Sequence, residues 1–373
     1  MIFFKTAETL QSGAKTLPCE FYTESAILER EFESIFLKQW ICAGRSDELS
    51  EKGQYKTVNI GTESVIILRN DEGDLNSFSN VCRHRGTRIY DDANGKFSKS
   101  IQCGYHGWTY DLDGNLVGAP HMDEVNGFKK EDYPLHKAAI CEWEGFIFVN
   151  HSENHEPFEK SFAPVMNRFS PWGISNLMVK EHKTYYVNCN WKLVIQNYNE
   201  CYHCPTLHPE LADIHHYMGG RNDLHEGPIL GGYMDFHENV ESITSTGKRC
   251  CPPLKGVKDE NLKRVYYYSI FPNLLLSLHP EYVMVNTVLP NGVDKTTVHC
   301  EWLFAEESAN SNQFNPQDAI DFWDMTNQQD WAICEKSQLG IQSKKYIPGP
   351  YSGQESLLAA FDKYYLNILN KLQ

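Results

Sequence analysis

Long apolar runs, an excess of basic residues, internal repeats and a glycine-rich nucleotide loop are all missing from this chain of 373 residues. No stretch approaches eighteen consecutive apolar residues, so no membrane-spanning helix is expected. The opening MIFFKTAETLQSGAK holds only four apolar positions before Lys5, too few for the apolar region of a signal peptide. The expectation is a cytoplasmic protein with no membrane partner. Lys and Arg number 34 against 49 Asp and Glu, a formal charge of −15, which argues against nucleic acid as a ligand because phosphate backbones are held by basic residues. No G-x-G-x-x-G follows a strand-like run, so nicotinamide and flavin would have to reside on another protein.

What is present is ordinary globular composition, 41% hydrophobic and 22% charged, with twelve cysteines. In a long chain without an export signal, cysteines spaced near histidines read as metal ligands before they read as disulfides. Cys19, Cys42, Cys141, Cys189, Cys300 and Cys334 sit singly and read as packed thiols. The adjacent Cys250 and Cys251, followed by two prolines, carry no interpretation.

Residues 24–40 have apolar positions recurring at three and four, a helical period. From about 42 to 150 the chain turns into short β-type runs: two strands within 58–80 joined at Asn70–Gly73, an Asp-Gly turn at 113–114, and an apolar strand in EGFIFVN. Residues 151–180, with three prolines, read as a connector. A strand running into a helix follows in KTYYVNCNWKLVIQNYNECYH, then a glycine-rich loop in GPILGGYMD, then strands over YYYSIFPNLLLSLHPEYVMVNTVLP. The last clear element is a helix capped by Asn315, with Pro316 in its first turn and Gly340 just past its end. The pattern is a small all-β domain joined to a larger α+β domain.

Cys82-Arg-His84 and Cys103-Gly-Tyr-His106 each offer one thiolate and one imidazole, with glycines at 86, 104 and 107 for tight loops. Both donor types suit zinc or iron. Zinc sites usually pair two cysteines on one arm and two histidines on the other, whereas here each arm is mixed. Mixed arms suit a two-iron, two-sulfide cluster with two cysteines on one iron and two histidines on the other. CRHRG followed by CGYHGWTYDLDG resembles the Rieske motif. That resemblance makes Cys82, His84, Cys103 and His106 the cluster ligands.

Such a cluster moves single electrons, so an acceptor is needed. The stretch NYNECYHCPTLHPE, residues 197–210, offers two exclusive readings: Cys201-x-x-Cys204 as a redox pair, or His203 and His208 as ligands of a mononuclear metal. The redox reading calls for a βαβ setting and a helix start, and neither is evident. On an unbroken helix the two histidines would diverge by roughly 140° at about 100° per residue, but Pro205 lets the chain turn and bring them together. Two histidines and a carboxylate leave positions of ferrous iron open for oxygen and substrate. Asp330, Asp321 and Asp324 on the C-terminal helix are the candidate carboxylates.

Asn190-Trp191-Lys192, Glu200, His203 and His208, followed later by Gln329-Asp330, are similar to the catalytic alpha subunit of Rieske non-haem iron oxygenases, over roughly residues 20 to 345. The resemblance selects Asp330 as third ligand of a mononuclear Fe(II). It implies an antiparallel sheet flanked by helices in the catalytic domain. It also divides the chain into an N-terminal helical segment packed on that domain (1–41), a Rieske domain (42–155) and the catalytic domain (156–373). Glu200 would join His203 to His106 of a neighbouring copy, implying a homotrimer. The family usually has aspartate at the position of Glu200, and an acid at the position of Gln196. The partners implied are oxygen, a small-molecule substrate and an NAD(P)H-dependent flavin/iron-sulfur reductase, with or without a ferredoxin.

ECYHCPTLHPEL and the strand-rich segment around residue 280 resemble the branch acting on glycine betaine and related quaternary ammonium compounds. Tyr198, Tyr202, Trp323 and Trp331 are candidate cation-binding faces. The leading expectation is an oxygenase hydroxylating an N-methyl group. A ring-hydroxylating oxygenase on an aromatic substrate, and an electron carrier without turnover, are the alternatives.

Overall fold

The computed structural model describes residues 12–370 except 311 and 313, so residues 1–11 of the expected N-terminal segment lie outside the described residues. The chain divides into two compact units, one from Phe36 to Phe158 and one formed by the segments on either side of it. Among the described residues no helix is long and apolar enough to cross a membrane.

The first unit is all β. A four-stranded antiparallel sheet is built from β2 (Gln54–Ile60), β3 (Glu63–Arg69), β4 (Leu75–Ser79) and β5 (Asn94–Lys96), and β1 (Ile41–Arg45) belongs to a second sheet. The segment read as two strands holds three, because Gly61 and Thr62 form a two-residue hairpin between paired Ile60 and Glu63. A small sheet of β6 (Ile101–Gln102), β7 (Thr109–Tyr110) and β8 (Leu116–Gly118) carries one candidate cluster loop, and β9 (Ala139–Trp143) and β10 (Phe146–Asn150) complete the sheet of β1. Ile66, Leu68, Phe78, Trp108 and Tyr110 form the core beneath the two cysteine loops.

The second unit is a seven-stranded antiparallel sheet with helices against it, the α+β architecture expected. Its strands are β11 (Leu177–Val187), β12 (His215–Leu224), β13 (Ile229–Phe236), β14 (Arg264–Ile270), β15 (Leu274–Leu278), β16 (Tyr282–Gly292) and β17 (Lys295–Ala305), in the spatial order β11-β17-β16-β15-β14-β13-β12. The helices Trp191–Tyr198, Pro316–Ile341 and Ser356–Asn370 pack on this sheet. Every residue of β15 is buried, which explains its leucine-rich sequence, and its one polar residue, Ser277, meets Tyr198 OH at 3.0 Å.

Three local expectations are corrected. GPILGGYMD is not a loop: Ile229–Phe236 is a strand paired on both sides. Its glycines are there because neighbouring backbones come too close for a side chain; a Cβ on Gly232 would lie 1.9 Å from the Arg221 carbonyl oxygen. The α-helix near the N-terminus ends at Glu31 and continues as a π-helical turn to Phe36, short of Trp40. Gly340 lies inside the long helix, which runs to Ile341 and ends in right-handed geometry at Gln342 instead of a left-handed glycine cap.

The helix Trp191–Tyr198 is held from behind by both ends of the described chain. Glu31 accepts from Trp191 Nε1 at 2.7 Å, from Lys192 Nζ at 2.6 Å and from Tyr365 OH at 2.5 Å. Glu31 and Lys192 are both fully buried. Gln196 donates to Asp362 at 2.7 Å, and Tyr351 OH donates to the other oxygen of that carboxylate at 2.6 Å. Burial pushes the Asp362 carboxyl up to about 7. Cys250 and Cys251 prove to be buried beside Glu281, which receives the Cys250 amide.

Candidate functional site

Two groups of side chains of metal-ligating type are assembled among the described residues, one in each unit. In the first, the two cysteine loops repeat one geometry. Gly86 N–H donates to Cys82 O at 3.0 Å and Gly107 N–H to Cys103 O at 3.1 Å, while the Cys82 and Cys103 amides each donate 2.8 Å to the residue after the glycine. Both glycines take positive φ, +72° and +71°, a conformation that side chains disfavour. Each five-residue turn therefore returns its histidine toward its cysteine.

The imidazoles of His84 and His106 lie 4.7 Å apart, centroid to centroid, and Trp108 stacks on His84 at 4.8 Å. Cys82 and Cys103 are buried, whereas His106 is exposed. Burial pushes the Cys103 thiol up, against two amides, from Tyr105 and His106, that point at it. Tyr110 OH lies 3.4 Å from Cys82 Sγ and accepts from the Arg83 amide at 3.0 Å, which aims the hydroxyl hydrogen at sulfur. Burial, with His106 and Arg85 nearby, lowers the pKa of His84, favouring the neutral form that binds metal. His84 Nδ1 is buried with no hydrogen-bond partner. Two adjacent thiols, two converging imidazoles and amides directed at sulfur fit a [2Fe–2S] cluster.

In the second unit, His203, His208 and Asp330 place one donor atom each within 4.8 Å of one another. The turn between the histidines differs from the expected one. Cys204–Leu207 is a single helical turn with Pro205 in its permitted first positions, and the chain breaks at His208, before Pro209. A residue preceding proline avoids helical geometry, so Pro209 is what points His208 back.

Both rings are fixed through Nδ1 and present Nε2 to Asp330. His203 Nδ1 bonds Glu200 Oε1 at 2.5 Å and His208 Nδ1 bonds Gln329 Oε1 at 2.6 Å. His208 Nε2 is 2.9 Å and His203 Nε2 3.4 Å from the same Asp330 oxygen. Outer partners at Nδ1 orient a ligating histidine and leave the Nε2 lone pair for metal. Burial opposes the charged form of His203, but the hydrogen bonds and charges of Asp330 and Glu200 outweigh it and raise its pKa to about 9. Burial likewise opposes ionisation of Asp330, and the two histidines outweigh it and lower its pKa. Asp324 instead pairs with Lys183 and Tyr185, and Asp321 with Gln317; neither joins the group.

A cavity of about 800 Å³, including its open mouth, lies over the three donors. The long helix gives it Trp323, Thr326, Asn327, Asp330 and Trp331, spaced at three and four so that all share one face. The sheet adds Tyr267, Met284 and Asn286, and Tyr198 closes a side. Tyr267 stands 6.0 Å from the Tyr198 ring and 6.3 Å from Trp323. Tyr267 OH, Trp331 Nε1 and Asn286 Oδ1 are buried without hydrogen-bond partners, so polar contacts are left over for a ligand. Tyr202 is exposed and is not part of the wall. Sequence reasoning missed Tyr267 and Asn286, which only the strand pairing brings under the long helix.

One further difference concerns the exclusive readings of 197–210. Cys201 and Cys204 form a disulfide, Cys204 starts a helical turn, and the histidine group is assembled beside them. The disulfide and the histidine group stand side by side, so the residues of the two readings do not exclude each other in space.

Residues 39–129 match the family model of the Rieske [2Fe-2S] domain, and residues 174–371 that of the ring hydroxylating alpha subunit (catalytic domain). A glycine betaine monooxygenase oxygenase subunit of Pseudomonas aeruginosa is 30% identical over 98% of this chain and 92% of its own length. A carnitine monooxygenase oxygenase subunit of Acinetobacter baumannii is 37% identical, over 89% of this chain and 87% of its own. The crystal structure of the quaternary ammonium Rieske monooxygenase CntA in complex with L-carnitine superposes with a TM-score of 0.76 at 26% identity, covering 96% of each chain. Naphthalene 1,2-dioxygenase from Rhodococcus sp., at 18% identity and TM-score 0.78 over 97% of this chain and 96% of its own, shares the fold.

Proposed function

Because the chain belongs to the ring-hydroxylating alpha-subunit family of Rieske oxygenases, we propose that it is the terminal oxygenase that hydroxylates an N-methyl group of a small quaternary ammonium compound. Glycine betaine, choline and carnitine are the type. The observation that carries this reading is the aromatic-walled cavity over three metal-binding side chains. A quaternary ammonium has no N–H to donate, so it is recognised by ring faces and nearby negative charge. Tyr198, Tyr267, Trp323 and Trp331 supply the first, Asp330 and Glu200 the second.

Cys82, His84, Cys103 and His106 would hold the cluster, and His203, His208 and Asp330 the mononuclear iron. The bound metals supply single-electron storage and the reduction of oxygen. The protein's part is to seat the cation with one methyl toward Asp330 and to hold His203 and His208 through Nδ1 so that both Nε2 atoms face that carboxylate. Glu200, fixed at His203 Nδ1, would reach the exposed His106 of a second copy, giving electrons a hydrogen-bonded path between subunits. A head-to-tail contact of that kind closes into a ring, here a homotrimer. Electrons would enter from an NAD(P)H-dependent reductase. The balance is one oxygen molecule, two electrons and two protons per methyl group, giving water and an N-hydroxymethyl ammonium, whose C–N bond then breaks as the hydroxyl loses its proton to release formaldehyde and a tertiary amine.

The test is formaldehyde release from glycine betaine, choline and carnitine with a reductase and NADH, alongside iron and acid-labile sulfide analysis. About three irons and two sulfides per chain with formaldehyde release is the expected result. Turnover of an arene with no formaldehyde from any amine would overturn the substrate assignment. Two irons without turnover would reduce the protein to an electron carrier.

A further inference from the structure

The Cys201–Cys204 disulfide has no part in the chemistry derived above, and its surroundings give it one. The Cα atoms are 4.9 Å apart, within the ordinary span for this bond. It closes so short a loop that it removes little chain entropy, so global stability is not its role. Cys201 and Cys204 are 4% and 3% exposed, and both line the substrate cavity, so the bond is reached through the cavity.

The bond is also interleaved with the metal-binding residues. Cys201 follows Glu200 and Cys204 follows His203, so the bridge fastens the segment whose two polar side chains meet at 2.5 Å. Glu200 Oε2 accepts from the amides of Tyr202 and His203, the latter at 3.2 Å, which closes the same segment from the other side. Cys204 Sγ is 4.0 Å from His203 Nε2, the nitrogen that faces Asp330. Two thiols cannot stay at bonding distance, so reduction has to spread this segment. It also leaves a soft thiolate donor next to the histidine nitrogen that meets the metal, where it can take a position that substrate oxidation needs open.

We propose that Cys201 and Cys204 are a reversible redox site in the cavity wall, oxidised by hydrogen peroxide, re-reduced by a small thiol, and competent for oxygenation only as the disulfide. Peroxide arises when oxygen is reduced without substrate being oxidised. One thiol attacks it, giving a sulfenic acid and water; the second thiol displaces hydroxyl from that sulfur, forming the S–S bond and a second water. Two electrons and two hydrogens leave the dithiol and one peroxide is consumed. In the reverse direction two molecules of a thiol such as glutathione supply the electrons and leave as their own disulfide. The pair thus opens the site when oxygen is available and shuts it under reducing conditions. The effect on the metal rests on the assignment of His203, His208 and Asp330; the thiol chemistry itself does not.

The test uses aerobically purified holoenzyme. Alkylation with iodoacetamide in denaturant, read by peptide mass spectrometry, should leave Cys201 and Cys204 unmodified until a reductant is added. Millimolar glutathione should then open the bond in the folded protein and lower turnover at least tenfold, and stoichiometric peroxide should restore both. Cobalt(II) at the histidine site should show a sulfur-to-metal charge-transfer band only after reduction, and the Cys204→Ser protein should lack it in either state. Full alkylation without reductant, or a reduced enzyme with unchanged turnover and no cobalt–sulfur band, overturns the proposal. If cobalt fails to bind at the histidine site at all, the metal assignment is lost, while alkylation and the peroxide response still decide the redox site.

Discussion

Protons and metal compete for His203, and the size of that competition follows from the site. Without metal, Asp330 and Glu200 hold its pKa at about 9 against an ordinary 6.5. The sign is that of a raised base: the proton's contribution to the metal-free fold is complete below pH 6.5 and lost as pH rises through about 9. A metal needs the neutral ring, so below pH 9 each unit of acidification should weaken binding about tenfold. Between pH 8 and pH 6 that is about 100-fold, or about 2.7 kcal/mol. The assay is anaerobic calorimetric titration of cobalt(II) into protein whose cluster is intact and whose histidine site has been emptied by chelation. Repeating it at pH 7 in buffers of different ionisation enthalpy should count about one proton released per metal from His203. Glu200→Gln removes one of the two carboxylates responsible and should move the break to lower pH. An affinity flat between pH 6 and 8, with no proton released, would refute the reasoning.

The same Glu200→Gln protein should keep both metals by iron and sulfide analysis yet lose about 100-fold in turnover, because the outer partner of His203 can no longer carry charge; an active variant would remove Glu200 from the electron path. Tyr110→Phe deletes the hydroxyl 3.4 Å from Cys82 Sγ. A donor to sulfur favours the more negative, reduced cluster, so its loss should lower the potential by roughly 40 mV, about 1 kcal/mol for one electron, measurable by redox titration under electron paramagnetic resonance. Glu31→Ala strands Lys192, whose ammonium burial already disfavours, and should cost about 3–5 kcal/mol in urea denaturation. An unchanged midpoint would mean that Lys192 finds another partner or loses its proton at little cost.

The parts of this protein that were legible in its sequence are those whose geometry is local. Cys82 to Gly86 and Cys103 to Gly107 are closed by bonds within five residues, so a reader can infer the turn from the glycine. The grouping of His203 with Asp330 is a different matter: it depends on a short helix breaking at His208 and on a long helix crossing above it, and only family resemblance singled out Asp330 from Asp321 and Asp324. Tyr267 and Asn286 were invisible because strand pairing, not spacing, sets them at the cavity. Gly231 and Gly232 misled, since glycine serves a turn and a tight strand contact equally well. The cysteine pair misled through the assumption that one stretch performs one task.

Glu31 and Tyr365 stand 334 residues apart in the sequence, and both grip the helix that precedes the histidines. Until both of these distant segments have docked, the scaffold behind the histidines lacks one of its two supports. Iron should therefore be held firmly only once both segments are in place. Loosening the helix Ser356–Asn370 would then show itself first as an enzyme short of one metal, long before it showed as an unfolded one.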